Sequence, residues 1–197
     1  MRELSLHILD IAENGITAGA DCIQILINEN RIEDLLTIAI TDNGGGMPAE
    51  KLKNPTDPFI TSRTTRRVGL GLSLLAAAAQ RCEGRLAIET EAGRGTRVTA
   101  TFRYTHIDRA PVGDMAATIT TLIMGNPRID FVYRHIIDAE EFMLDTRDLK
   151  EGSEDNSLAD PVILHHLSQR IRNSLNQLAL KSGASESTEE NHGQINN

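Results

Sequence analysis

Residues 35–47, LLTIAITDNGGGM, carry an apolar, strand-like run straight into an aspartate, an asparagine and three consecutive glycines. A carboxylate that leaves a strand end where the backbone turns into glycine is placed for close ligand approach. Asp42 can there accept a hydrogen bond from an exocyclic amine such as that of adenine. A glycine-rich turn closed by an Asx cap accounts for the same residues with no ligand. The alternating oxygen ligands of a calcium loop are absent.

The flanking sequence sets this loop within an alternation of helical and strand patterns. Residues 3–17 have helical spacing. Residues 22–29 alternate Ile23, Ile25 and Ile27 as a strand, and residues 35–42 form its antiparallel neighbour across residues 31–34. After the loop, Pro48 opens a short helix near Glu50–Lys53, and residues 54–68 form a loop carrying Arg63, Arg66 and Arg67. A helix follows over 71–82, and two strands, 85–90 and 97–103, flank the hairpin signal Gly93-Arg94-Gly95. Beyond residue 104 come a helix ending at Gly125, a hairpin (129–137 and 141–145) turning at Asp138-Ala139, and a helix capped by Asp160-Pro161. That last helix bears an apolar stripe, Leu164, Leu167, Ile171, Leu175 and Leu178, which needs a partner surface. From Ser182 onward the Ser-, Glu- and Asn-rich residues read as a disordered tail. The expected organisation is therefore a unit over 1–104, a small helix-hairpin-helix extension over 105–181, and a tail over 182–197.

Charge divides along the same line. Residues 1–104 hold 12 Lys+Arg against 13 Asp+Glu, a net of −1, and residues 105–197 hold 8 against 15, a net of −7, so nearly all of the formal charge of −8 belongs to the second half. An acidic chain with no Trp, two Tyr and four Phe is ill suited to nucleic acid, since phosphate attraction and stacking surface are both scarce. Cys22 and Cys82 lie far apart and form neither a paired-thiolate metal spacing nor a disulfide framework, which suits a reducing interior. No apolar run approaches the roughly 20 residues a bilayer span needs, and no signal-peptide pattern opens the chain. A soluble, cytoplasmic protein that uses neither membrane nor nucleic acid is expected.

Two further segments suit a phosphate-bearing ligand. Glu3, His7, Asp10, Asn14 and Thr17 recur at helical spacing on one face. Asn14 offers an amide oxygen suited to a hard Mg²⁺ ion, and Asp10, one turn earlier, can polarise a water or hydroxyl nucleophile. The same stripe is also what a plain solvent-facing side looks like. Gly69-Leu70-Gly71-Leu72 precedes a helix whose N-terminal N–H groups can hold phosphates, with the three loop arginines nearby. A third fingerprint glycine is missing where Leu74 stands, and no Gly-Lys-Ser/Thr occurs, so the two common nucleotide-binding loops are disfavoured.

In order along the chain, five segments resemble the ATP-binding domain shared by gyrase, Hsp90, histidine kinases and MutL, the Bergerat fold. HILDIAENGITAGA (7–20) looks like its N box, DNGGGM (42–47) its G1 box, DPFITSR (57–63) its F box, VGLGLSL (68–74) its G2 box and GRGT (93–96) its G3 segment. The resemblance implies an α+β fold, a two-layer sandwich with helices on one face of a mixed, mostly antiparallel sheet. It implies ATP and Mg²⁺ as ligands, with Asn14 holding the metal, Asp42 reading adenine, Gly44 and Gly46 shaping the pocket, and Gly69 and Gly71 lining the triphosphate. Thr96 would support the adenine end, and Met47, Thr61, Arg63, Leu70 and Leu72 fall in the boxes as further nucleotide-binding positions. Asp10 stands at the usual catalytic glutamate position, one methylene short, a shorter reach that leaves room for slow hydrolysis or none beside the kinase or ATPase activity the resemblance implies.

The short lid from Phe59 to Gly69 is similar to that of histidine kinases and anti-sigma-factor kinases. The phosphoacceptor helices of a histidine kinase are not in the sequence, so a standalone form acting on a separate regulatory protein is expected. Its extension would serve as a docking or homodimerisation surface. The alternative is a non-hydrolysing module in which ATP switches partner affinity. His165 and His166 on the last helix are expected to be surface or packing residues.

Overall fold

The computed structural model describes residues 3–46, 70–150 and 158–189. Helix α1 (Ser5–Thr17) leads into strands β1 (Cys22–Asn30) and β2 (Leu35–Asp42). Helix α2 (Leu70–Arg81), strands β3 (Arg85–Glu91) and β4 (Gly95–Arg103) and helix α3 (Met115–Gly125) come next. Strands β5 (Asp130–Ile137) and β6 (Glu140–Asp145), a one-turn helix α4 (Thr146–Lys150) and helix α5 (Pro161–Glu189) complete the order. The strands form one six-stranded sheet in the order β3-β4-β2-β1-β5-β6. Every neighbouring pair is antiparallel except β1 with β5, which run parallel in the register Ile25↔Tyr133.

Period-two alternation puts one side of each strand against the helices. Across that face Ile23, Ile25 and Ile27 of β1, Leu36, Ile38 and Ile40 of β2, Val98, Ala100 and Phe102 of β4, and Phe131 and Tyr133 of β5 are all buried. From above, α1 with its N-cap Leu4 adds Ile8, Ile11 and Ala12, α2 adds Leu75 and Ala79, and α3 adds Met115, Ile119 and Leu122. This is the expected two-layer α+β arrangement.

The elements after residue 104 do not sit apart from the first half. β5 adds to the free edge of β1, and the cluster of buried side chains runs unbroken from α1 and α2 through α3 to Leu164, Leu167 and Ile171 of α5. The apolar stripe of α5 thus finds its partner inside the chain, on α3 and the β5–β6 hairpin. Asp160 caps α5 as expected, accepting from the Val162 N–H at 2.7 Å. The helix continues past the expected tail onset, with Ser182 3% exposed and donating to the Ala179 carbonyl, and ends at Glu189. The Asp114 carboxylate caps α3 through the Ala117 N–H at 2.9 Å and receives Arg172 of α5 at 2.8 Å, so one side chain joins both helices.

Helix α1 begins two residues later than its spacing suggests. Leu4 is its N-cap, and the Leu4 and Ser5 N–H groups donate to the Pro111 and Val112 carbonyls, at 3.0 and 2.7 Å, which ties the helix start to the segment before α3.

Candidate functional site

The end of β2 is built for a close backbone crossing. Gly15 of α1 is buried directly over Asp42, and a Cβ on Gly15 would lie 2.7 Å from Asp42 Cβ and 2.9 Å from Ile23 Cδ1. Only hydrogen at residue 15 lets the helix descend this far. The Asp42 carboxylate accepts from the Gly44 N–H at 2.9 Å and from the Thr96 backbone on neighbouring β4. Burial nevertheless outweighs these donors and pushes its carboxyl above the usual range. It is a half-buried acceptor in surroundings that do not fully solvate its charge.

The glycine loop is pinned on both sides. The Gly45 N–H donates to the Ala18 carbonyl at 2.8 Å, and the Gly45 carbonyl accepts from Gly93 in the β3–β4 turn at 3.0 Å. Asn43 spans the gap to β1, its Oδ1 accepting from the Asp21 and Cys22 N–H groups at 3.1 and 3.0 Å. Gly46 and Gly95 hold φ of +71° and +100°, and a Cβ on either would run into carbonyl oxygens, of Glu91 and Asp42 respectively. The Thr96 hydroxyl, on the helix-facing side of β4, lies 3.1 Å from that of Thr90.

Midway along α1, Asp10 meets the first turn of α2. A Cβ on Gly71 would stand 3.2 Å from Asp10 Cβ and 3.3 Å from its Oδ2, so the carboxylate lies against the N-terminal turn of that helix. Asp10 and Asn14 are exposed, one turn apart on one face. Leu70 opens α2, while the Leu72 side chain packs against the core, which leaves its backbone as the part that can face a ligand. His7 departs from the solvent-facing stripe: it is 4% exposed, and Glu3 lies outside the helix.

The structure thus brings Asp42, Gly44, Gly46 and Thr96 together beneath the C-terminal part of α1, where Asn14 precedes Gly15, and sets Gly71, followed by Leu72, against Asp10 in the middle of the helix. Met47, Thr61, Arg63 and Gly69, with the short helix expected near 50–53, lie outside the described residues. Sequence reasoning missed Gly15, Asn43 and the burial of His7. A glycine in mid-helix one residue after Asn14, where alanine is better by about 1 kcal/mol, was the available signal for the first.

A profile described as histidine kinase-, DNA gyrase B- and HSP90-like ATPase matches residues 2–106, more than half of the chain. The chain belongs to this ATPase family. Sporulation kinase C of Bacillus subtilis (strain 168) is 33% identical over 94 residues, 48% of this chain and 22% of its own. Sporulation kinase D of the same organism is 33% identical over 95 residues, 48% of this chain and 19% of its own. The chain therefore spans about a fifth of the length of these relatives. Among solved structures, the N-terminal domain of a DNA repair protein superposes with a TM-score of 0.53 at 16% identity, covering 74% of this chain and 53% of that one, a likeness of fold. The strands within the matched region share one sheet with β5 and β6, which lie beyond it. Among the described residues no helix is long and apolar enough to cross a membrane, and no group of three His, Cys, Asp or Glu side chains gathers as a metal cluster.

Proposed function

We propose that the protein binds ATP with Mg²⁺ and acts, as a protein kinase or ATPase of the histidine-kinase and anti-sigma-factor-kinase type, on a separate regulatory protein in the cytoplasm. The observation that carries this reading is the use of one rigid helix for both ends of the site. Gly15 fixes α1 over Asp42 and Asp10 fixes it against Gly71, five residues or about 7.5 Å apart along the axis. A ligand that engages Asp42 with an amine and the α2 N-terminus with anionic oxygens is held at both ends by parts that cannot drift independently.

In this reading Asp42, incompletely solvated by the protein, accepts from the adenine amine, and Thr96 steadies the carboxylate through its backbone. The first turn of α2, with Gly71 allowing close approach, holds phosphate oxygens on its free N–H groups. Asp10 orients the attacking hydroxyl or water and takes up its proton. The exposed amide of Asn14 fits Mg²⁺, a hard ion that keeps waters and substrate phosphates as most of its ligands and so requires no carboxylate cluster. The bound ion would neutralise developing charge on the phosphates.

Incubation with γ-labelled ATP and candidate partner proteins tests the enzyme. One partner should become labelled, and Asp10→Asn should abolish the labelling. ATP binding with neither labelled product nor released phosphate would leave the short Asp10 side chain as the reason, and would favour the switch in which ATP and ADP set different partner affinities.

A further inference from the structure

His7 is a titratable side chain at the α1–α2 contact that the proposed chemistry does not use. It lies one turn before Asp10 on the same face of α1, 4% exposed, and its Nδ1 is a buried polar atom with no hydrogen-bond partner. Burial pushes its pKa down; the Asp10 carboxylate and the Gly71 backbone, acting as a carbonyl acceptor would, pull the other way. The ring therefore stands against the residue of α2 whose missing side chain lets that helix approach Asp10. An apolar residue would fill the space without leaving a polar atom unpaired, and leucine is the ordinary occupant of such helix–helix contacts. A buried polar atom left without a partner, at a contact otherwise built for close approach, is typical of positions held for function.

We propose that His7 is a positioning residue: it sets the height of the first turn of α2 over Asp10, and with it the alignment of the N–H groups that receive the nucleotide phosphates. This rests on the ATP reading above. It concerns the phosphate end only, because the adenine end is fixed separately by Gly15, Asp42 and the glycine loop.

The test compares His7→Leu and His7→Gln with the unaltered chain in binding ADP-Mg²⁺, which uses both ends of the site, and adenosine, which uses one. His7→Leu should unfold in urea no earlier than the unaltered chain, because it removes an unpaired buried group, yet bind ADP about three- to tenfold more weakly, the equivalent of one ordinary hydrogen bond, with adenosine affinity unchanged. His7→Gln, which restores a side-chain donor, should recover part of the loss. In the unaltered chain, ring nitrogen resonances of isotope-labelled His7 should move on addition of ADP-Mg²⁺ and stay in place with adenosine, a readout that needs no variant to fold. Unchanged ADP affinity in His7→Leu, equal losses for ADP and adenosine, or ring signals indifferent to ADP would each overturn the proposal. Failure of the unaltered chain to bind ADP at all would instead overturn the ATP reading on which it rests.

Discussion

Replacing Gly15 with alanine adds one methyl group where the structure leaves no room for it. The new Cβ would stand 2.7 Å from Asp42 Cβ, 3.0 Å from its Cγ and 2.9 Å from Ile23 Cδ1. Carbon atoms in contact prefer about 3.5–4.0 Å, so α1 must withdraw by about 1 Å or the Asp42 side chain must turn away. Overpacking of this kind costs about 1–3 kcal/mol, and alanine's preference for the helix returns about 1 kcal/mol. The net loss of stability should therefore be small, about 0–2 kcal/mol in urea unfolding. Binding should suffer more, because the displaced group is the proposed acceptor for adenine. Loss of one hydrogen bond to a charged group, about 1.5–3 kcal/mol, weakens ATP by about ten- to a hundredfold by calorimetric titration. Gly125→Ala is the control: nothing lies within 4 Å of a Cβ there, so the same exchange should be neutral or stabilising and leave ATP affinity alone. If Gly15→Ala bound ATP within twofold of the unaltered chain, the argument that this glycine sets the geometry of Asp42 would be wrong.

Two further outcomes follow from the packing of the second half. Glu29 of β1 accepts from the buried His135 Nε2 at 2.7 Å, and His135 Nδ1 lies 2.7 Å from the Tyr133 hydroxyl. Burial alone would raise the Glu29 carboxyl, but His135, Tyr104 and Arg109 together hold it below its ordinary 4.5. Its contribution is therefore fully present above about pH 4.5 and lost as pH falls through the lowered value; urea unfolding between pH 7 and pH 3 should show a steeper loss in the unaltered chain than in Glu29→Gln, and parallel losses would remove Glu29 from the account. Asp160→Ala, which deletes the acceptor of the Val162 N–H, should cost about 0.5–2 kcal/mol in the same assay; no loss would mean that the first turn of α5 is held by other contacts.

What could be read in advance was local. Ile23, Ile25 and Ile27 alternate, and β1 follows; Asp160-Pro161 signals a helix start, and α5 begins there. The pairing of β5 with β1 joins residues about a hundred positions apart, and a free strand edge leaves no mark in the sequence that receives it. For the same reason nothing in the sequence shows that the residues beyond 104 join the same sheet and the same buried cluster as the first half. His7 shows a second limit. Helical spacing assigns a residue to a face, yet cannot say whether water or another helix covers that face, and α2 covers the part of the stripe at His7. Gly15 could be seen as a glycine in a helix, but its meaning lies in Asp42, which only the packing brings beneath it.

In the proposed function, Asp42 beneath Gly15 and the first turn of α2 beside Asp10 form the two ends of one ATP site. Thermal unfolding of the full chain with and without ATP-Mg²⁺, alongside Asp42→Asn, tests it most directly. At a ligand concentration near 100 times the dissociation constant the unaltered chain should gain roughly 2.7 kcal/mol, a rise in Tm of about 5–10 °C for a protein of this size, and the variant should gain none. Equal shifts in both proteins, or no shift in the unaltered chain at saturating ATP-Mg²⁺, would contradict it.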